Sequence, residues 1–160
     1  MTKTYRFENE LSAPLGKVQE LLTDPGVREE EATQVAGALE AHCDLEERGN
    51  VKELVVHQKE HGYSLEGKRD TSKVEDVTLT ITWNTDDFRG EWKWRMASQK
   101  DRVRVDGSTT LLENDDTTKV VEEGRVDVKI PMVGRVVEGK IVKGLEEARP
   151  DWVSWMRGKL

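Results

Sequence analysis

Between Gly124 and Trp155 the apolar residues change their period, and this limits what the chain can fold into more than any other feature of it. Val126, Val128 and Ile130 alternate with Arg125, Asp127 and Lys129, as in a strand with one buried face. After Pro131 the spacing becomes helical. At 100° per residue, Val133, Val137, Ile141, Gly144, Leu145, Ala148, Trp152, Trp155 and Met156 fall in an arc about 140° wide, with charges on the other side. The spacing therefore predicts a long C-terminal helix from about Met132, resting one stripe on an apolar surface. Pro150 predicts a kink in it, or a break and restart.

The surface for that stripe comes from upstream. Lys3 to Glu10 reads as a strand, with Tyr5 and Phe7 on one face. Ser12 is placed to cap a short helix through Val18, Leu21 and Leu22, with Pro14 in its first turn. Asp24-Pro25 repeats that signal for a second short helix through Val27, Ala32 and Val35. Glu29 to Glu31 reads as a solvated first-turn charge run. Alternation then returns at Leu39, Ala41, Cys43 and Leu45, and Gly49-Asn50 suits a two-residue primed turn into Val51 to Gln58. Strands follow at hairpin spacing over Val77–Asn84, Phe88–Ala97, Arg102–Leu112 and Thr118–Ile130, separated by polar turns. Lys59 to Lys73 is too polar and Gly-punctuated for this pattern and reads as an irregular segment, a candidate cavity entrance. The whole is an α+β arrangement: a curved antiparallel sheet of about seven strands around the last helix, with two short helices between strands one and two.

At 160 residues one domain, residues 1–160, is expected. The net charge of −7 argues against nucleic acid and against attraction to anionic lipid, because both need a cationic patch. Cys43 is alone, so no internal disulfide forms. MTKTYRFENEL has no apolar signal core, and no stretch has the uninterrupted apolar length of a membrane span, so a cytoplasmic location is expected.

The element order, with the stretch VDGSTTLLENDDTTKVVEEGRVDVKIPMVGRVVEGKIVKGL, resembles the START-like, polyketide-cyclase-like (SRPBCC) superfamily with the helix-grip fold, shared by the birch-pollen allergen. Within it the chain resembles an uncharacterised bacterial branch, in Ile130-Pro131-Met132-Val133-Gly134 closing the last strand, in Thr82-Trp83 and in the Gly90 to Trp94 strand. The resemblance implies a cavity between sheet and last helix, used across the superfamily for lipids, sterols and polyketides. Some relatives are enzymes and many only bind. The shared motif contains no catalytic residue, so the resemblance assigns none.

The residues themselves point to an apolar ligand. Trp83 ends the alternating set Val77, Leu79, Ile81, while Trp92 and Trp94 share a face with Phe88 and Met96. If these faces and Val128 point inward, three indoles and a thioether stand opposite Val137, Ile141 and Leu145, a lining for a lipid-like or polyketide-like molecule. The same residues also suit a filled core. No cofactor is called for. His57 and His61 are four apart, but no third metal ligand is evident. His42 and Cys43 would point to opposite faces, which disfavours a Cys–His nucleophile. For acid–base chemistry of cyclase, dehydratase or hydrolase type the candidates are Arg104, Glu8 and His57, with exposed charge on the outer face as the plainer reading. An interaction module without ligand is the third possibility.

Overall fold

A computed structural model describes residues 2–63 and 69–160. The strands β1 (Thr2–Leu11), β2 (Glu40–Arg48), β3 (Val51–Tyr63), β4 (Arg69–Asn84), β5 (Arg89–Met96), β6 (Val103–Asn114) and β7 (Thr117–Val128) form one seven-stranded antiparallel sheet. Its order is β1-β7-β6-β5-β4-β3-β2, so six strands meander and the first returns beside the last. Helices α1 (Leu15–Leu22) and α2 (Pro25–Gln34) follow β1, and α3 (Gly134–Lys159) comes last. α3 lies along β1 and β7. This is the helix-grip arrangement.

Local chemistry explains the boundaries. Arg48 and Val51 pair across a two-residue loop in which Gly49 has φ +61°, the conformation a primed hairpin turn needs at that position. Asp24 caps α2, its carboxylate accepting from the Val27 N–H at 3.2 Å, with Pro25 starting the helix. Ser12 does not cap α1. That helix starts two residues later, behind Pro14, which has no side-chain cap to offer. The segment read as irregular is for the most part strand: Lys59 to Tyr63 prolongs β3 and Arg69 to Lys73 opens β4, with a register shift between His61 and Gly62. Residues 64–68 of it lie outside the described residues. Backbone pairing with a long neighbour has overridden a composition that alone favours a loop.

α3 differs from its expected form in two ways. It runs through Pro150 as one 26-residue helix with no break and restart at that proline, which sits on the exposed side. Its buried face is also turned by nearly one residue step, to Gly134, Glu138, Val142, Arg149, Val153 and Met156. Gly144 and Ala148, expected inside, are exposed, while Val137, Ile141, Leu145, Trp152 and Trp155 are half-buried. The expected stripe missed two buried charges. Glu138 is 3% exposed because its carboxylate accepts the Val128 N–H at 2.8 Å, satisfying the backbone where β7 ends. Gly144 has no atom within 4 Å of the position of an added Cβ, so Gly144→Ala is expected to stabilise the protein by about 1 kcal/mol through helix propensity alone. A thermal midpoint raised by about 3 °C would register it.

Two apolar clusters meet under α3. One joins Leu11, Val18, Leu22, Leu54, Ile81, Trp83 and Met156. The other joins Tyr5, Val103, Val105, Val126, Val128 and Val142. Trp92 packs against both.

Candidate functional site

Pairing register fixes which side chains share the concave face. One ladder across the sheet reads Tyr5, Gly124, Gly107, Trp92, Ile81, Leu54, and the next toward the β7–α3 end reads Lys3, Val126, Val105, Trp94, Leu79, Val56. Two glycines make room in the first. A Cβ on Gly124 would lie 2.2 Å from the Tyr5 ring, and one on Gly107 would lie 2.5 Å from the Trp92 indole and 2.2 Å from the Glu123 carbonyl oxygen. Large rings therefore lie flat over side-chain-free backbone, as they do where Trp83 covers Gly90.

The anticipated lining residues divide between core and seam. Trp83 is 0% exposed, and its Nε1–H donates to Gln19 Oε1 at 2.7 Å, which anchors α1 to the sheet. Val128 is buried beside Val103 and Val142. Trp92, Trp94 and Met96 remain half-buried, and so do Val137, Ile141 and Leu145; all six pack on the same cluster. They form an apolar seam between the wall and α3. Past one end of it, a small cleft of about 10 Å³ opens among Glu60, Glu75, Val77, Trp94 and Met96. A wider depression, about 980 Å³ and open to solvent, lies on the convex face between residues such as Arg6, Thr82, Lys93, Asp106 and Arg125. Within it Arg6 pairs with Glu123, and Asp106 pairs with Arg95 beside it at 2.5 Å.

The other end of the seam is polar and was not anticipated. Arg149 of α3 is 9% exposed, with Nε donating to Asn9 Oδ1 at 2.7 Å and Nη1 3.4 Å from Glu122 Oε1. Its guanidinium stacks 4.0 Å from the Trp152 ring centroid and 5.1 Å from that of Phe7. Glu31 of α2 accepts from Trp152 Nε1 at 2.7 Å and from Arg28 at 3.0 Å. Burial pushes the Glu122 carboxyl above the usual carboxylate range, against the pull of Arg149. Burial and then the Glu122 charge push the Tyr5 phenol up, so it stays a neutral donor to that carboxylate. Two cations and two carboxylates thus balance inside one network spanning β1, β7, α2 and α3. The Glu29 to Glu31 run is part of this packing and not a solvated face: Glu29 accepts the Cys43 N–H at 2.9 Å, and Glu30 pairs with Lys159.

The acid–base candidates named from sequence are elsewhere. Arg104, Glu8 and His57 are exposed on the convex face. His57 and His42 face each other across β3 and β2 beside Asp44, and no group of three possible ligands among the described residues is placed to hold a metal. Cys43 is 6% exposed and burial pushes its thiol up to about 11, the opposite of nucleophile activation. A polarity count along the chain could have singled out Arg149 only as an interruption of the stripe between Leu145 and Trp152.

A seven-stranded sheet gripping a terminal helix, with two short helices after the first strand, defines the helix-grip class of fold. Solved structures agree in fold. The chain is similar to the Zhui aromatase/cyclase from Streptomyces sp. R1128 (TM-score 0.70, 12% identity, covering 99% of this chain and 93% of that one). It is also similar to norcoclaurine synthase from Thalictrum flavum (TM-score 0.63, 13% identity, 98% and 86%) and to Ara h 8.0201 (TM-score 0.57, 15% identity, 96% and 98%). Within that class the chain belongs to the family described as protein of unknown function (DUF2505), whose model matches residues 6–149. No curated protein sequence matches it.

Proposed function

We propose that the protein binds a small apolar or amphipathic molecule along the seam between the concave sheet face and α3. The observation that carries this reading is the strip formed by Trp92, Trp94 and Met96 on the wall and Val137, Ile141 and Leu145 on the helix, all half-buried where a finished core would bury them fully. The small cleft has room for about one water, so a ligand of lipid-like or polyketide-like size displaces α3 from the wall as it enters. Native mass spectrometry after incubation with a total lipid extract tests the reading. A retained adduct with quenched tryptophan emission, weakened at least ten-fold by Ile141→Asp, is the expected result. No adduct across the extract, with unchanged emission, removes it.

A second reading, chemistry on the bound molecule, is favoured by one observation: Glu122 is a carboxyl raised by burial beside a neutral phenol and a guanidinium at the same interface. It requires an adduct whose mass changes on incubation with the wild type and not with Glu122→Gln. An adduct of constant mass rules against it.

A further inference from the structure

Met132 stands wholly in water, with a relative exposure of 101%, and its φ is +70°. Both features are unfavourable for methionine; asparagine or glycine would serve this left-handed turn at lower cost. Val136, on the first turn of α3, is 57% exposed. With Pro131 they make a blunt apolar tip between β7 and α3, at the end of the molecule where Trp94 and Met96 line the seam.

Cations surround this tip. Lys129 and Arg135 flank it in sequence. The adjoining β5–β6 turn adds Lys100 and Arg102, held there by the Lys129 N–H donating to the Arg102 carbonyl at 2.7 Å. Lys3 reaches over α3 beside Gly139. None of these five forms an ion pair among the described residues; the carboxylates near them are Asp101, Asp127 and Glu75, the last accepting from Ser98 N–H and Oγ–H. The N-terminus of α3 has no side-chain cap and no acidic residue in its first turn, which adds positive potential.

We propose that this end of the protein docks on an anionic lipid surface, the tip entering the headgroup layer while the basic rim meets phosphates and carboxylates. Three side chains are far too few to bury the roughly 800 Å² per partner of a stable protein interface. They suffice for shallow, reversible insertion when a cationic rim assists. The net charge of −7 does not prevent this, because Glu46, Glu47, Asp86, Asp87, Asp115 and Asp116 lie at the opposite end, at the β2–β3, β4–β5 and β6–β7 turns. The 12 residues of β7 separate the two ends by about 40 Å, several times the screening length of about 8 Å at physiological salt. The lipid surface therefore meets the local positive sign.

Co-sedimentation of the full chain with phosphatidylcholine vesicles, with and without phosphatidylserine as a third of the lipid, tests the proposal without any bound ligand. The wild type is expected to partition onto the serine-containing vesicles and to be released by high salt. Lys129→Gln and Arg135→Gln should each weaken partitioning about five-fold. Met132→Asn keeps a residue tolerant of the left-handed turn, so the fold persists, as an undiminished thermal midpoint would verify, while partitioning falls about ten-fold. Equal binding to both vesicle types, no binding to either, or Met132→Asn binding like the wild type overturns the proposal.

Discussion

Arg149→Met is expected to lower the unfolding free energy by about 4 kcal/mol at pH 8, because it leaves the Glu122 charge inside without its counter-ion. Methionine matches much of the arginine's volume and still packs on Trp152 and Phe7, so the loss is chiefly electrostatic. Its pH dependence identifies it. Burial already raises the folded-state pKa of Glu122 above its ordinary value of 4.5, and removing Arg149 raises it further. A carboxyl raised in the folded state binds more protons there than in the unfolded chain. Its favourable contribution is thus complete below the unfolded value and is lost as pH climbs through the folded one. The deficit of the variant should accordingly be smallest near pH 4.5 and grow toward pH 8. Urea unfolding at both pH values measures it, and Glu122→Gln added to Arg149→Met should recover more than half. A loss of equal size at both pH values would instead mean that the network contributes packing only.

Gly107→Ala is expected to cost about 3 kcal/mol, although it adds a single methyl group to a strand. The added carbon would sit 2.2 Å from the Glu123 carbonyl oxygen, and backbone in the middle of a sheet has nowhere to go. It would also drive the Trp92 ring off its platform, so the tryptophan emission should shift together with a fall of about 10 °C in the thermal midpoint. Gly144→Ala on the exposed side of α3 is the matching control, with the opposite sign. If both alanines behave alike, the seat of the Trp92 ring does not depend on the bare backbone of Gly107.

How far the residues foretold this molecule depends on the kind of signal each carries. Alternation at Val126, Val128 and at Trp92, Trp94, Met96 placed strands and faces correctly, because a half-buried sheet imposes a period of two on apolarity itself. The change of period after Pro131 found α3 for the same reason. The rotation of its buried face escaped notice because Glu138 and Arg149 are inside, and no hydrophobic pattern marks a charge whose partner lies in another element. Glu29, Glu30 and Glu31 looked like solvent-facing charge until Cys43, Lys159 and Trp152 were brought to them across the fold. The extended β3–β4 pairing was hidden by its composition, since strands backed by a long paired neighbour tolerate residues of weak intrinsic preference. The polar end of the seam was invisible for a combined reason: Tyr5, Asn9, Glu122 and Arg149 come from both ends of the chain, and only the pairing of β1 with β7 assembles them.

That pairing also sets the order of events as the protein is made. A nascent chain that emerges N-terminus first presents the β1 segment long before Thr117–Val128, its strand partner, has left the ribosome. The meander from β2 to β6 can zip locally in the meantime, while Tyr5, Phe7 and Leu11 wait uncovered for synthesis of the last third. Slow closure and a window of vulnerability to aggregation follow from such distant contacts. The alternating charges Arg6, Glu8 and Glu10 on the other face of that waiting segment are well placed to discourage its association with other chains.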